Sequence, residues 1–174
     1  MLRTERLVLR PVRAGDADWI ATEIARLEVQ QWLTSPPHPY RLAHARDFVA
    51  RFGSGPGTRV IDAGGTSCGV ITIEAANSFA DDRSEGWELG YWLRVDAWGR
   101  GLMTEAARAM LTDHRARHRA TIHSGWITGN AGSARVLAKL GFLGPTETLR
   151  RHAHFRGGPV PVERVHLPAD APLP

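Results

Sequence analysis

The chain has 174 residues, a formal net charge of +4 and 43% hydrophobic residues. That length is enough for one domain with a full hydrophobic core and too short for two of ordinary size. Charged residues make up 23% of the chain, an ordinary share for a globular protein and unlike a disordered one. We therefore expect a single domain over residues 1–174.

The same composition excludes several classes of protein. No apolar run approaches the roughly 20 residues of a membrane helix, and the opening MLRTERLVLRP carries charges where a signal peptide has its apolar core. Arginines are scattered rather than concentrated in a basic patch, which disfavours nucleic-acid binding. Cys68 is the only cysteine, and no His and acid spacing indicates a metal. We expect a cytoplasmic protein without metal, membrane or nucleic-acid partners, either a monomer or a homodimer.

The first predicted elements are a strand and two helices. Residues 7–10 alternate in hydrophobicity and predict a strand. Asp16 is the predicted N-cap of the first helix. Three prolines exclude a helix interior at 35–40, because each removes a backbone donor. The second helix is predicted at 42–52.

The middle of the chain predicts three strands. Two β-rich runs meet at Gly64 and Gly65, a hairpin signal. A polar loop is predicted at 77–86, followed by a strand at 87–93. Alternation along that strand places Glu88 on one face with Gly90 and Trp92, and Leu89 and Tyr91 on the other.

The segment DAWGRGLMTEAARAML, residues 96–111, predicts a loop followed by a helix of about 16 to 18 residues. Its polar stripe is spaced by three and four residues, which places Met103 on the buried side. A strand is then predicted at 121–127, and NAGSARVLAKLGF predicts a helix ended by Gly141. The tail predicts two strands turning at 157–158. The pattern is that of a mixed α/β or α+β domain.

Gly99 and Gly101 stand immediately before this long helix. The chain contains no P-loop signature, and Thr104 occupies the place of the third glycine of a dinucleotide fingerprint. Two interpretations stay open. One is a plain turn; the other is a cradle in which backbone N–H groups at a helix N-terminus bind a pyrophosphate beside Arg100.

The segments TERLVLRPV, VQQWL, ELGYWL with WGRGLMTEA, and NAGSARVLAKLGF occur in this order. From about residue 4 to residue 142 the chain resembles the GNAT acetyltransferase superfamily, in particular its branch similar to ribosomal-protein N-terminal acetyltransferases (RimJ/RimL-like). The resemblance implies a strongly twisted mixed sheet of about seven strands, flanked by about four helices and splayed at its centre. It also implies acetyl-coenzyme A as co-substrate, bound in the gap.

The resemblance further implies which residues bind the coenzyme. Backbone amides of the glycine loop would hold the pyrophosphate, the backbone at the end of one strand would pair with the pantetheine arm, and an asparagine would hydrogen-bond that arm. The three groups are Gly99, Arg100, Gly101, Leu102, Met103 and Thr104; Leu93, Arg94 and Val95; and Asn130. Trp98 and Met103 depart from the superfamily's commonest residues. Met103 is compatible with a backbone cradle if its side chain points into the core.

Two residues are the candidates for the chemistry. Glu88 is the predicted base, acting directly or through a water, because a carboxylate in an apolar site gains the basicity that proton removal requires; the alternative is a surface or salt-bridged glutamate. The helix tyrosine that many superfamily members use to stabilise the leaving thiolate is replaced by Leu137. Ser133 is the nearest hydroxyl to the expected sulfur, and its alternative role is helix capping. Tyr40 and Tyr91 are the only tyrosines, and the sequence does not place Tyr91 relative to the site.

These residues predict an N-acetyltransferase that transfers the acyl group directly to a primary amine, with a peptide or protein N-terminus favoured. A small polar amine such as an antibiotic, an acyl group larger than acetyl, and a non-catalytic coenzyme A-binding module are the alternatives. His38, His152 and His154 are candidates for the acceptor side, and the alternative for each is a surface position.

Overall fold

A single sheet runs through the computed structural model, which describes residues 1–53, 55–75 and 86–173. Its eight strands follow the order β1-β2-β3-β4-β5-β6-β8-β7 within this described part. All neighbours are antiparallel except β5 and β6, which are parallel. The strands are β1 (Leu2–Arg3), β2 (Leu7–Arg10), β3 (Thr58–Ala63), β4 (Thr66–Ala75), β5 (Trp87–Leu93), β6 (Ile122–Ile127), β7 (Leu143–Ala153) and β8 (Gly158–Leu167).

Five α-helices cover this sheet in the described ranges: α1 (Ala17–Ile24), α2 (Leu27–Gln30), α3 (Leu42–Phe52), α4 (Leu102–Arg115) and α5 (Ala131–Lys139). The mixed α/β class is confirmed. The two-residue β1 and the four-residue α2 are the elements that the sequence did not predict. Helix α4 has 14 residues and is shorter than predicted. None of the described helices combines the length and the apolarity that crossing a membrane requires. The predicted loop at 77–86 lies outside the described residues, apart from Gly86.

The two faces of the sheet pack against different helices. On one face, Leu89 and Leu93 of β5 share a core with Met103 and other apolar residues of α4 and with Leu137 of α5. On the other face, β3 and β4 pack against α1 and α3. Met103 is 4% exposed, so the predicted buried side of α4 is confirmed. Burying a side chain of this size contributes about 1.5–3 kcal/mol, and the Met103 side chain lies away from the loop surface.

Local signals predicted most turns correctly. The β3–β4 hairpin turns at Gly64, whose φ is +59°. Helix α5 ends where Gly141 adopts a φ of +81°, and the Phe142 N–H donates to the carbonyl of Leu137 at 3.1 Å. Asp16 is the N-cap residue of α1, as predicted, but its side chain makes no capping hydrogen bond to that helix. It accepts instead from the Arg10 guanidinium, at 2.7 and 2.8 Å. The half-buried Arg10 guanidinium is charged and therefore attracts the carboxylate more strongly than a neutral helix amide does.

Candidate functional site

The parallel pair β5 and β6 parts shortly after it begins. Register pairs are found only at Trp87 with Ile122 and Glu88 with His123 among the described residues. The Ser124 hydroxyl then donates to the Leu89 carbonyl at 2.9 Å, and the strands diverge beyond that bond. A gap therefore opens along the second half of β5, closed at its inner end by Ser124 and Leu89.

Backbone groups of β5 face this gap. The Arg94 N–H donates to the Cys68 carbonyl of β4 at 2.8 Å. In an antiparallel pair, successive residues direct both backbone polar groups alternately toward and away from the partner. Tyr91 and Leu93 therefore direct theirs away from β4 and toward the gap, where an extended chain could pair with them. Arg94 is one of the three residues predicted to pair with the pantetheine arm. It donates its N–H to β4 and therefore offers no amide to the gap.

The loop that leads from β5 into α4 carries the two glycines. Gly99 has a φ of +72° and Gly101, the N-cap residue of α4, a φ of +75°. A Cβ built at Gly99 meets no atom within 4 Å, so the backbone is open to a ligand on that side. Gly101 has no side chain to cap the helix, and the first N–H groups of α4, from Leu102 to Thr104, precede the first intrahelical bond at Glu105. These amides and the helix dipole favour an anion.

Residues of the turn between β1 and β2 hold this loop in place. The Glu105 carboxylate of α4 accepts from the Thr4 hydroxyl at 2.5 Å, and from the Arg6 N–H and Nε at 2.9 and 2.6 Å. Arg6 Nη1 also donates to the Arg100 carbonyl at 3.0 Å. Burial would raise the pKa of Glu105, but the hydrogen bonds from Thr4 and Arg6 outweigh it and lower that pKa. The carboxylate therefore stays ionised and fixes the loop that precedes α4.

Trp98 fixes the other end of the loop. Its indole Nε1 donates to the Leu93 carbonyl at 2.9 Å, although the residue is 41% exposed. The carbonyl of Leu93 is therefore occupied within the protein, and its N–H is the group that remains directed at the gap. Trp98, which departs from the superfamily's commonest residue at its position, has a structural role in ordering residues 93–98.

The N-terminus of α5 stands across the gap from β5. The Asn130 side-chain oxygen accepts from the Ser133 N–H at 3.1 Å and caps the helix. The capping role is thus performed by Asn130, and the Ser133 hydroxyl makes no hydrogen bond within the described part of the chain. The Tyr91 hydroxyl donates to the Ser133 carbonyl at 3.4 Å. Leu137, one turn further, is fully buried in the core.

Glu88 lies on the opposite face of β5 from Tyr91, the face on which Trp92 packs against Trp19 of α1. Its Oε1 pairs with Arg151 Nη1 of β7 at 3.2 Å, and the two side chains are 16% and 22% exposed. Its Oε2 is buried and has no hydrogen-bond partner among the described residues. The salt-bridged alternative is therefore realised for one oxygen. The other oxygen is a buried acceptor, an arrangement that costs free energy unless a ligand or water satisfies it.

The tip of the β7–β8 hairpin contacts the segment that follows α2. At the tip of the β7–β8 hairpin, Arg156 donates to the Gln31 carbonyl at 3.3 Å, and Phe155 packs edge-on against His38 at 5.0 Å between ring centroids. His152 and His154 pack against each other at 4.9 Å and are exposed. The structure thus brings His38 to the tail hairpin, whereas His152 and His154 occupy exposed positions.

A cleft of about 410 Å³ borders the loop on the side of β4. Its lining includes Arg6, Cys68, Arg94 and Arg100, and none of its lining residues belongs to β6 or α5. It is therefore separate from the gap between β5 and β6. Burial raises the pKa of the Cys68 thiol to about 11, which keeps it protonated and unsuited to act as a nucleophile.

In the described residues no group of three or more His, Cys, Asp and Glu is placed to hold a metal ion. The glycine loop does fit a pyrophosphate group. In the described part of the chain its amides from Leu102 to Thr104 precede the first intrahelical hydrogen bond, Gly99 leaves open space, and the Met103 side chain is buried.

The fold is that of an acetyltransferase domain. Residues 6–143 match the family model described as the acetyltransferase (GNAT) domain. The chain therefore belongs to the GNAT acetyltransferase family. No curated protein sequence matches it.

Three solved structures illustrate the similarity. The ribosomal-protein-S5-alanine acetyltransferase from Vibrio fischeri is 18% identical with a TM-score of 0.75, covering 99% of this chain and 98% of its own. RimJ from Mycobacterium smegmatis, in complex with CoA-disulfide, is 22% identical with a TM-score of 0.69, covering 92% and 81%. The aminoglycoside acetyltransferase AAC(6')-Ib, in complex with coenzyme A, is 17% identical with a TM-score of 0.73, covering 93% and 94%. These similarities confirm the GNAT fold.

Sequence reasoning missed three contributors to this region. Arg6 and Arg151 reach the region from positions 99 and 63 residues away from their carboxylate partners. Tyr91 lies 42 residues from Ser133. No local pattern marks such pairs; only the alternation in WELGYWL, which separates Tyr91 from Glu88, pointed toward the face on which Tyr91 lies.

Proposed function

We propose that the protein is an acetyl-coenzyme A-dependent N-acetyltransferase that transfers the acyl group directly to a primary amine, with a peptide or protein N-terminus as the favoured acceptor. One observation carries the proposal: the gap between β5 and β6 opens beside a helix N-terminus that two positive-φ glycines leave accessible. Bound coenzyme supplies the activated acyl group.

The loop and the gap bind different parts of the coenzyme. Amides from Gly99 to Thr104 bind the pyrophosphate, and Arg100 adds a cation. The backbone groups of Tyr91 and the N–H of Leu93 pair with the pantetheine arm as an added strand. Asn130 and Ser133 border the arm from α5, the Ser133 hydroxyl close to the sulfur.

Glu88 removes the proton from the attacking amine. Its buried Oε2 lacks a partner in the described residues, so it is ready to accept from an amine or from a relaying water. Arg151 holds the other oxygen and thereby fixes the orientation of the carboxylate. The amine approaches from the face bordered by α1 to α3 and the β7–β8 hairpin.

Proton energetics favour an N-terminal acceptor. An α-amine with a pKa of about 7.8 is neutral in roughly one molecule in ten at pH 7, whereas a lysine with a pKa of about 10.4 is neutral in about one in 2,500. Presenting the neutral lysine costs about 3.5 kcal/mol more. A carboxylate base that is shared with an arginine is better matched to the easier acceptor.

The test is turnover with a panel of acceptors. Purified protein and acetyl-coenzyme A are incubated with peptides of differing N-termini, aminoglycosides and polyamines, and thiol release is measured. Faster release with peptides than without acceptor supports the proposal. Preference for aminoglycosides would replace the acceptor class. Tight coenzyme A binding without release for any amine would identify a non-catalytic binding module.

Replacing Gly101 by valine is expected to weaken coenzyme A binding at least tenfold, measured by calorimetry. A β-branched residue at a φ of +75° is strained, and relief of the strain turns the amides of the loop away from the pyrophosphate. Gly157→Val is the matched control, because Gly157 has a φ of +67° and open space around it at the distant hairpin tip. An equal loss of affinity in both variants would contradict the cradle.

A further inference from the structure

Stabilisation of the leaving thiolate has no donor at the position where many relatives carry a tyrosine. Leu137 stands there. It is fully buried and carries no hydroxyl group. Tyr91 is on the adjacent strand, partly buried against the same core as α5. Its hydroxyl reaches the first turn of α5, at the Ser133 carbonyl.

The closed inner end of the gap sets where the reactive sulfur can lie. An arm that starts at the loop before α4 runs along β5 past Leu93, and the bond from Ser124 to Leu89 blocks it further in. The sulfur must therefore stop between the levels of Leu93 and Leu89. Tyr91 is the residue of β5 at that level, on the α5 side of the sheet.

We infer that the Tyr91 hydroxyl donates a hydrogen bond to the sulfur of the leaving coenzyme A, in addition to the donor that Ser133 provides. This inference rests on the proposed function. The amine nitrogen forms a bond to the acyl carbon, the carbon–sulfur bond breaks with its electron pair going to sulfur, and the amine proton leaves through Glu88. The sulfur takes a proton from solvent after the step.

Acid strengths explain why Tyr91 acts by hydrogen bonding and not by full proton transfer. Burial raises the pKa of Tyr91, against a smaller opposing effect of its bond to Ser133. A thiol has a pKa of about 8.5, well below that of an ordinary tyrosine at about 10. The phenol therefore stays protonated, and keeps its donor, through the pH range in which a thiol of pKa about 8.5 ionises. The weak 3.4 Å bond to the Ser133 carbonyl is readily exchanged for a stronger bond to a charged sulfur.

The first experiment measures the ionisation of bound coenzyme A by the ultraviolet absorbance of its thiolate. We expect the midpoint to lie about one pH unit higher in Tyr91→Phe than in the wild-type protein, a tenfold change in the ionisation constant, with coenzyme A affinity at neutral pH within about twofold. Tyr40→Phe is the matched control, since Tyr40 packs beside His44 on the other face of the sheet. An unchanged midpoint in Tyr91→Phe, or a shift found only in Ser133→Ala, overturns the inference.

A second measurement tests the Tyr91 hydroxyl without removing it, in case Tyr91→Phe is too unstable to study. The chain has two tyrosines, so 3-fluorotyrosine incorporated into the Tyr40→Phe variant labels position 91 alone. The more acidic phenol donates a stronger hydrogen bond, and we expect it to lower the thiolate midpoint. No shift, or a shift upward, contradicts the inference.

Turnover separates this inference from the proposed function. If the wild-type enzyme acetylates an amine, Tyr91→Phe should lower kcat about tenfold and leave KM for acetyl-coenzyme A nearly unchanged. If no amine is acetylated, the proposed function fails, while the thiolate titration still tests Tyr91. A tyrosine that only ties β5 to α5 would change the melting temperature without moving kcat or the titration midpoint.

Discussion

Glu88→Gln is expected to lower kcat/KM for acetyl transfer to a peptide N-terminus by about 100-fold or more, since a positioned general base contributes roughly 10²–10⁴-fold. The amide keeps the size of the side chain and can still accept from Arg151, but it cannot take the amine proton. Binding of coenzyme A should be unchanged, because the carboxylate lies on the opposite face of β5 from the core shared with α4 and α5. Steady-state thiol release and calorimetry check the two statements.

Glu74→Gln is the control for this prediction. Glu74 lies directly opposite Glu88 on β4, and its Oε1 accepts from the Thr58 hydroxyl at 3.0 Å, so it tests the loss of one carboxylate from the same sheet region. Its variant should retain normal turnover. If Glu88→Gln retains full activity, or if both variants lose activity equally, Glu88 is not the base.

Local sequence signals predicted the structure best where neighbouring residues determine the backbone. The glycine pairs at the β3–β4 and β7–β8 turns, Gly141 after α5 and the buried side of α4 were all predicted from short-range patterns, because turn conformation and helical periodicity depend on residues a few positions apart. The divergence of β5 and β6 has no such signal. It was predicted only through the resemblance of four separate segments to one family.

The interactions that position the site were not predicted, because they join residues that are far apart in the sequence. The helical periodicity of α4 places Glu105 among its polar residues, and the sequence alone allows Glu88 to be either a base or a salt-bridged residue. Each is fixed by an arginine brought from far along the chain, Arg6 on the β1–β2 turn and Arg151 on β7. Sequence spacing along one element cannot reveal a partner supplied by another strand. The role of Trp98 likewise depends on a carbonyl exposed by the loop's own course.

His114 makes stability strongly dependent on pH. It is 6% exposed on α4, packed edge-on against Trp87 at 4.5 Å and stacked on His118 at 4.6 Å between ring centroids. Burial, and then the positive charges of His118 and Arg117, lower the pKa of His114 from 6.5 to about 4, with Asp113 opposing. In the unfolded chain this histidine therefore gains a proton as the pH falls below 6.5, whereas in the folded protein it gains that proton only near pH 4. Stability falls as the pH falls through this interval.

Replacing His114 with leucine should remove this component. The interval between 6.5 and about 4 corresponds to a loss of about 3 kcal/mol in the free energy of unfolding, so between pH 7 and pH 4 the wild-type protein should lose about that much more than His114→Leu. Urea unfolding at several pH values measures the difference. His152→Leu is the control at an exposed position and should follow the wild-type curve. A His114→Leu curve as steep as that of the wild type would contradict the assignment of this pH dependence to His114.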